Sequence, residues 1–290
     1  MDSKAPEIED YTNRWLFHPI STRLAVALSR TWVHPNAVSF AGVIFGVLAG
    51  MNYYHYDVGN SALWAFFYML IWHVLDGTDG HLARLTGKAT AAGRAIDGLA
   101  DHLVYLAVYL GMALAIYDKG NSHIIWIVLL AGAAHAIQAS MLDRERQTYR
   151  FWVYSGLAGS EPLKPPRPKN PILKGLHIYF QFIAEMFDSN EAVKQQAFEM
   201  KIGPEQREKA ARYYRKNYVD YVHVWSVLSP NFHTAAIFVF CFFQFPLGYF
   251  LFEIIAMNIL LAALLVWKAR MDTNLAAYLA SLADQTSLKA

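Results

Sequence analysis

The chain has 290 residues, of which 55% are apolar or aromatic and only 17% charged, against about 25% charged in an ordinary soluble domain. Mean hydropathy is positive (+0.20) and the net charge is only +2. These figures argue against a disordered chain, against most soluble enzymes and against a nucleic-acid partner. The lone cysteine, Cys241, makes neither an internal disulfide nor a cysteine-rich metal site. The polar start, MDSKAPEIED, lacks the cationic and apolar pattern of a secretory signal. The composition is that of an all-α integral membrane protein.

In chain order, residues 1–33 form an N-terminal segment. Here Trp15, Leu16, Phe17, Ile20, Leu24 and Leu28 are interleaved with Arg14, Arg23 and Arg30, a pattern that suits an amphipathic helix lying in the membrane interface. Residues 34–142 carry four apolar stretches, at 37–54, 61–74, 95–117 and 123–142, where a bilayer-spanning helix needs about 20 residues. The second is short, and becomes long enough only if its helix continues into the polar segment that begins at Asp76. Gly42, Gly46 and Gly50 recur at every fourth residue of the first stretch. That repeat permits close helix approach and is read as packing within the bundle.

Residues 143–229 form an insertion with 14 basic and 10 acidic residues. It begins with a connection to a proline-rich extended linker at 161–171. Leu173, Leu176, Phe180, Ile183 and Phe187 then recur at helical spacing, and a stretch opened by Pro204 leads into the fifth span. We expect a cytosolic platform packed on the bundle. Residues 230–270 hold the fifth and sixth spans, 234–250 and 251–267, joined as a tight hairpin near Phe245-Pro246-Leu247-Gly248, and 271–290 form a cytoplasmic tail. The similar openings HPNAVS at 34–39 and SPNFHT at 229–234 are read as two independent helix starts.

Charge orients the bundle. The connections 54–60, 117–122 and 245–249 carry one basic residue between them, Lys119, while the other 24 of the 25 Lys and Arg fall at the termini or on the opposite side. The positive-inside rule then predicts cytoplasmic termini and a cytoplasmic insertion, in the inner membrane if the source is bacterial.

The chemistry is concentrated between the second and third spans. Asp76-Gly77-Thr78-Asp79-Gly80-His81-Leu82-Ala83-Arg84 is followed eight residues later by Gly93-Arg94-Ala95-Ile96-Asp97-Gly98-Leu99-Ala100-Asp101. On a helix, Asp76, Asp79 and Ala83 share one face with the edge of Gly80, while Gly93, Asp97 and Asp101 line a second. The intervening residues allow the two helices to run antiparallel, so four carboxylates converge at the cytoplasmic boundary. Like charges in contact cannot all ionise, and Arg84 and Arg94 neutralise at most two. One or two hard divalent cations, such as Mg²⁺, Mn²⁺ or Ca²⁺, suit an all-oxygen donor set. The small Gly80, Ala83 and Gly93 leave room for a ligand.

This segment resembles the signature of the CDP-alcohol phosphotransferase family, D-x-x-D-G-x-x-A-R-x(8)-G-x-x-x-D-x-x-x-D, at every fixed position. The six expected spans and the Pro35-Asn36 opening of the first extend the likeness over most of the bundle, but not over the insertion. The resemblance implies cleavage of a CDP-linked donor, transfer of its phosphoryl-bearing half to an alcohol, and release of CMP. It implies that Asp76, Asp79, Asp97 and Asp101 hold one or two Mg²⁺ or Mn²⁺ ions and that Asp101 is the base deprotonating the acceptor. Asp76, Gly80, Ala83, Arg84 and Gly93 would bind or border the CDP group. A homodimer is also implied.

Other residues make weaker claims. His81 and His102 point away from the acid faces and are read as surface or packing residues. His135 and Gln138 share a face of the fourth span, and intramembrane polar groups usually face the bundle interior, so either an acceptor pocket or ordinary packing fits them. Lys88, Arg94, Arg144 and Arg146 ring the cytoplasmic mouth. They suit a polar or phosphorylated acceptor or simple anchoring to anionic lipids. On that ground CDP-diacylglycerol is preferred as donor, the alternative being a soluble CDP-alcohol with a lipid acceptor. An ion or proton transporter is the distant rival. Its sites lie characteristically near the bilayer midplane, whereas these acids lie at one boundary.

Overall fold

The computed structural model describes residues 5–155 and 204–287. The proline-rich linker at 161–171 and the apolar stripe from Leu173 to Phe187 lie outside the described residues. Every regular element among the described residues is helical.

A π-helical turn, Asn13–Phe17, runs into α1 (His18–Leu28). Then come α2 (Pro35–Tyr54), α3 (Ser61–Leu85), α4 (Ala91–Asp118) and α5 (Ile124–Arg150), which a π turn extends to Ser155. After the undescribed segment follow α6 (Pro204–Val224), α7 (Pro230–Phe242), α8 (Pro246–Phe252), a π turn at Glu253–Met257 and α9 (Asn258–Ser287). Among the described residues, five helical stretches are long and apolar enough to cross a membrane: 35–54, 96–118, 124–154, 205–242 and 246–284. The expected second span is not among them. α3 has 25 residues, but its Trp, Tyr and His side chains and its acids make it too polar by composition. It does continue through Asp76 to Leu85, as the short apolar stretch required.

Helix starts follow local chemistry. Pro35 occupies the first turn of α2, where it forfeits no hydrogen bond, and His34 Nδ1 accepts the Asn36 N–H at 3.2 Å. Thr90 caps α4 by accepting the Gly93 N–H at 2.9 Å. Between α3 and α4 the chain reverses at Gly87, whose φ of 68° is left-handed. Lys88 N–H donates to Ala83 O at 2.8 Å and Gly87 N–H to Arg84 O at 3.3 Å, the paired bonds of a glycine-terminated helix end.

The glycine repeat of α2 is spent inside the bundle. A Cβ on Gly46 would lie 2.5 Å from Val104 Cγ2, and one on Gly50 only 2.3 Å from Ala107 O. From the other side, a Cβ on Gly111 would sit 2.0 Å from Gly50 O. The backbones of α2 and α4 therefore touch. α1 crosses α3 in the same manner. Ser21 Oγ donates to Val74 O at 2.8 Å, and a Cβ on Gly77 would meet Ser21 Oγ at 2.7 Å.

The fifth and sixth spans divide earlier than expected. Phe245–Phe250 belong to the second arm of the hairpin, because Pro246 opens α8 and the turn falls at Phe243–Phe245. The largely apolar run from 234 to 267, in which Gln244, Glu253 and Asn258 stand singly, hides that break. Nor do the fourth and sixth helices stop where apolarity fades. α5 continues into Ser155, and α9 runs to Ser287 through the segment expected as a tail. Their extensions pack with α6 around Tyr149, Trp152, Tyr214, Tyr218, Trp225 and Leu279 in a second aromatic-rich core. A buried ion cluster ties them together, with Lys268 Nζ 2.8 Å from Asp272 Oδ2 and 3.7 Å from Glu145 Oε1.

The N-terminal segment is exposed along only part of its length. Tyr11, Trp15, Leu16 and Ile20 are exposed, as an interfacial face requires, but Ala5, Ile8 and Asp10 are buried. Glu7 accepts from Tyr154 at 2.7 Å and Tyr149 at 3.1 Å and lies 3.5 Å from Arg215. Burial acts to raise the Glu7 carboxyl, yet these tyrosine hydroxyls and Arg215 hold it below its ordinary value. Asp10 accepts from Ser229 at 2.8 Å and Asn231 at 3.1 Å.

Candidate active site

α3 and α4 bring the four aspartates of the motif to one cleft, lined by Asp76, Asp79, Asp97, Asp101, Ser39, Gly42, Trp72 and Ala100. Carboxylate oxygens of Asp76, Asp79 and Asp97 lie within 4.8 Å of one another. Asp76 and Asp101 are in hydrogen-bonding contact, as are Asp79 and Asp97. Asp79 is buried and accepts a hydrogen bond from Ser39 Oγ on α2. One oxygen each of Asp97 and Asp101 (Oδ1 in both) is buried without a hydrogen-bond partner.

These observations fit a divalent cation. The donor set is all oxygen, the oxygens converge, and two buried carboxylate atoms lack any other partner, which would be costly if left so. The four side chains pack closely, with no water-sized void between them, so any ligand larger than an ion would lie outside this cleft.

Of the residues expected around the CDP group, Asp76 lines this cleft, while Gly80, Ala83 and Arg84 follow it on α3 without lining it. Gly80 and Ala83 are half-buried and Arg84 is exposed. A Cβ on Gly80 would lie 3.5 Å from Arg84 Nη1, so the guanidinium folds back over that glycine, and it acts electrostatically on both Asp79 and Asp97. Gly93 sits in the first turn of α4, its N–H held by Thr90.

The expected acceptor residues are dispersed. Lys88 is exposed in the α3–α4 turn, and Arg94 lies in the first turn of α4. Arg144 and Arg146 are on the last turns of α5. Arg146 Nε and Nη2 are buried without a hydrogen-bond partner. His135 and Gln138 do not line the acid cleft. They face Glu253 instead, Gln138 through its bonds to Glu253 O at 3.5 Å and Asn258 Oδ1 at 3.3 Å. His81 stands 3.2 Å from His18 and His102 bonds Gly98 O, so neither lines the cleft.

Sequence reasoning missed Ser39, Gly42 and Trp72 as wall residues, because they enter from α2 and from the apolar part of α3. Ser39 follows Pro35 by one helical turn, a position that reads as a cap until the partner helix is in place.

A family model described as CDP-alcohol phosphatidyltransferase matches residues 32–161. The phosphatidylinositol phosphate synthase of Mycobacteroides abscessus is 28% identical over 122 residues, which cover 41% of this chain and 53% of that protein. The chain thus spans about half the length of this curated relative. No solved structure matches the chain significantly. With every fixed motif position occupied and the four aspartates gathered in one cleft, residues 32–161 are similar to the CDP-alcohol phosphatidyltransferase family.

Proposed function

We propose that the protein is a membrane-embedded, metal-dependent phosphotransferase of phospholipid biosynthesis. It would move a phosphatidyl group from CDP-diacylglycerol to an alcohol and release CMP. The observation that carries this reading is the convergence of Asp76, Asp79, Asp97 and Asp101 at one cleft between two helices. Those four residues would hold one or two Mg²⁺ or Mn²⁺ ions. Bound there, the metal supplies stabilisation of charge developing on the transferred and leaving phosphates.

The chain's own residues divide the remaining work. Gly80 and Ala83 leave a flat helix face against which the cytidine diphosphate lies, and Arg84 supplies a cation beside it. Asp101 takes the proton of the acceptor hydroxyl at its unpartnered Oδ1. The acceptor oxygen then forms a bond to the phosphorus of the phosphatidyl group, the bond to the CMP oxygen breaks, and CMP departs with that electron pair. Arg146 offers an unpartnered guanidinium edge to an anionic acceptor. A phosphatidyl donor is supported by the product named for the mycobacterial relative and by the basic residues near the cytoplasmic ends of α3, α4 and α5.

The test supplies labelled CDP-diacylglycerol, a panel of alcohols and phosphorylated alcohols, and Mg²⁺ or Mn²⁺, and scores CMP and lipid product. Activity should vanish in chelator and return with metal. Full turnover in metal-free buffer would sink the metal assignment. Product formed only from a soluble CDP-alcohol and diacylglycerol would reverse the choice of donor.

A further inference from the structure

A second cluster of metal-ligating side chains lies outside the acid cleft. His135 of α5, His233 of α7 and Glu253 at the head of the π turn present one ligand atom each, all within 4.8 Å of one another. His233 and Glu253 are fully buried, and the His135 side chain is only 11% exposed. The cluster assembles three elements that are distant in sequence. Glu253 begins a π-helical turn, a distortion that is found frequently at functional sites and re-aims side chains within an otherwise regular helix.

The carboxylate needs a compensating charge, since a buried ion without a partner is strongly destabilising. His233 Nδ1 lies 2.9 Å from Glu253 Oε2. His135 Nδ1 stands 3.6 Å from Glu253 Oε1, too far for the hydrogen bond a shared proton would draw in, and both atoms are buried without a hydrogen-bond partner. Ligand atoms around a tetrahedral ion with bonds of about 2.0–2.1 Å lie roughly 3.3 Å apart. The two nitrogen–oxygen separations, each to a different oxygen of Glu253, are of that order. Tyr249 OH, at 3.3 Å from His233 Nδ1 and 3.4 Å from Glu253 Oε2, is placed to complete a fourth position. Gln138 and Tyr109 brace this shell through the Glu253 carbonyl and the Tyr249 hydroxyl.

We propose that His135, His233 and Glu253 form a second metal site, for a Zn²⁺-type ion, that pins α5, α7 and the α8–α9 junction together. Two imidazoles and a carboxylate are an established donor set for zinc, whereas the acid cleft, with oxygen alone, selects Mg²⁺ or Mn²⁺. The two sites differ in chemistry, and Tyr105 stands beside the second. Its ring centroid is 4.4 Å from that of His135, and its hydroxyl donates to Pro230 O at 2.8 Å. This proposal does not depend on the phosphotransferase reading.

The full-length protein in detergent would be offered Zn²⁺ in excess Mg²⁺, dialysed and analysed for metal by mass spectrometry. About one Zn²⁺ per chain should remain. Co²⁺ in its place should give visible ligand-field bands, a readout independent of turnover. Glu253→Gln and His233→Gln should lose both signals, while Asp97→Asn keeps them. A wild-type protein that retains no stoichiometric Zn²⁺ and shows no Co²⁺ bands overturns the proposal, whatever the variants do. Loss of the ion in Asp97→Asn alone would move it to the acid cleft and overturn it equally.

Discussion

In the proposed reaction Asp101 alone would take a proton, and that role is measurable. Asp101→Asn keeps size and much of the hydrogen bonding but removes the proton acceptor. It should cut turnover by about 10²–10⁴-fold while weakening binding of the CDP donor only modestly. Asp76→Asn or Asp79→Asn should damage both turnover and donor binding, because either loosens the grip on the pyrophosphate. Donor binding and CMP release are to be compared for each variant in the same detergent and metal. Near-normal turnover in Asp101→Asn, or a loss of donor binding as deep as that of Asp76→Asn, removes the base assignment. The four aspartates were legible from spacing alone because three- and four-residue steps put them on helix faces. Ser39 and Trp72 were not, since no local pattern tells which helix will become the third wall. Nor did spacing reveal where His135 points. Its partners His233 and Glu253 lie about a hundred residues on, in an apolar run whose polar members looked isolated.

The ends of the helices carry a second testable contrast. Gly87 and Gln244 occupy equivalent left-handed positions after α3 and α7, with φ of 68° and 58°, and both ends close with the same pair of backbone bonds. Phe245 N–H donates to Phe240 O at 2.8 Å and Gln244 N–H to Cys241 O at 3.0 Å. Only one of these positions has the glycine that this geometry favours. Gln244→Gly should therefore stabilise the hairpin and Gly87→Ala destabilise the α3–α4 turn, each by about 1 kcal/mol. Melting temperatures in detergent should move in opposite directions, and parallel shifts would contradict the turn geometry. Helix existence was readable from apolar length and from Pro at helix starts. The α7–α8 break was misplaced because Gln244 disguises a turn that glycine would have advertised. α5 and α9 outran their apolar stretches because tertiary packing, here a cluster of tyrosines and tryptophans, supplies what composition lacks.

At the scale of the molecule, the distribution of charge makes the orientation a prediction. α3 and α4 would deliver the acid cleft to the cytoplasmic face, together with the termini and the insertion, if the asymmetry of Lys and Arg orients the bundle and α3 crosses as a sixth span. Lys119, the lone basic residue of the opposite side, is engaged there by Asp57 at 2.7 Å and by Tyr56. A membrane-impermeant thiol reagent added outside intact cells should label Ser122→Cys and spare Arg212→Cys. Cys241 is buried and contributes little background. Labelling of Arg212→Cys from outside would invert the bundle and place the cleft on the other face.

The clamp made by Glu7 and Asp10 imposes an order on how the chain is made. Ser229 and Asn231 follow Asp10 by 219 and 221 residues, and synthesis at about 5–20 residues per second separates them by roughly 10–45 s. The segment around Asp10 therefore waits until α7 has been made before its anchors exist. During that interval α2, α3 and α4 already have one another, so the acid cleft can close while that segment is still unanchored. A segment made ahead of the bundle becomes a latch that closes only after α7 is in place.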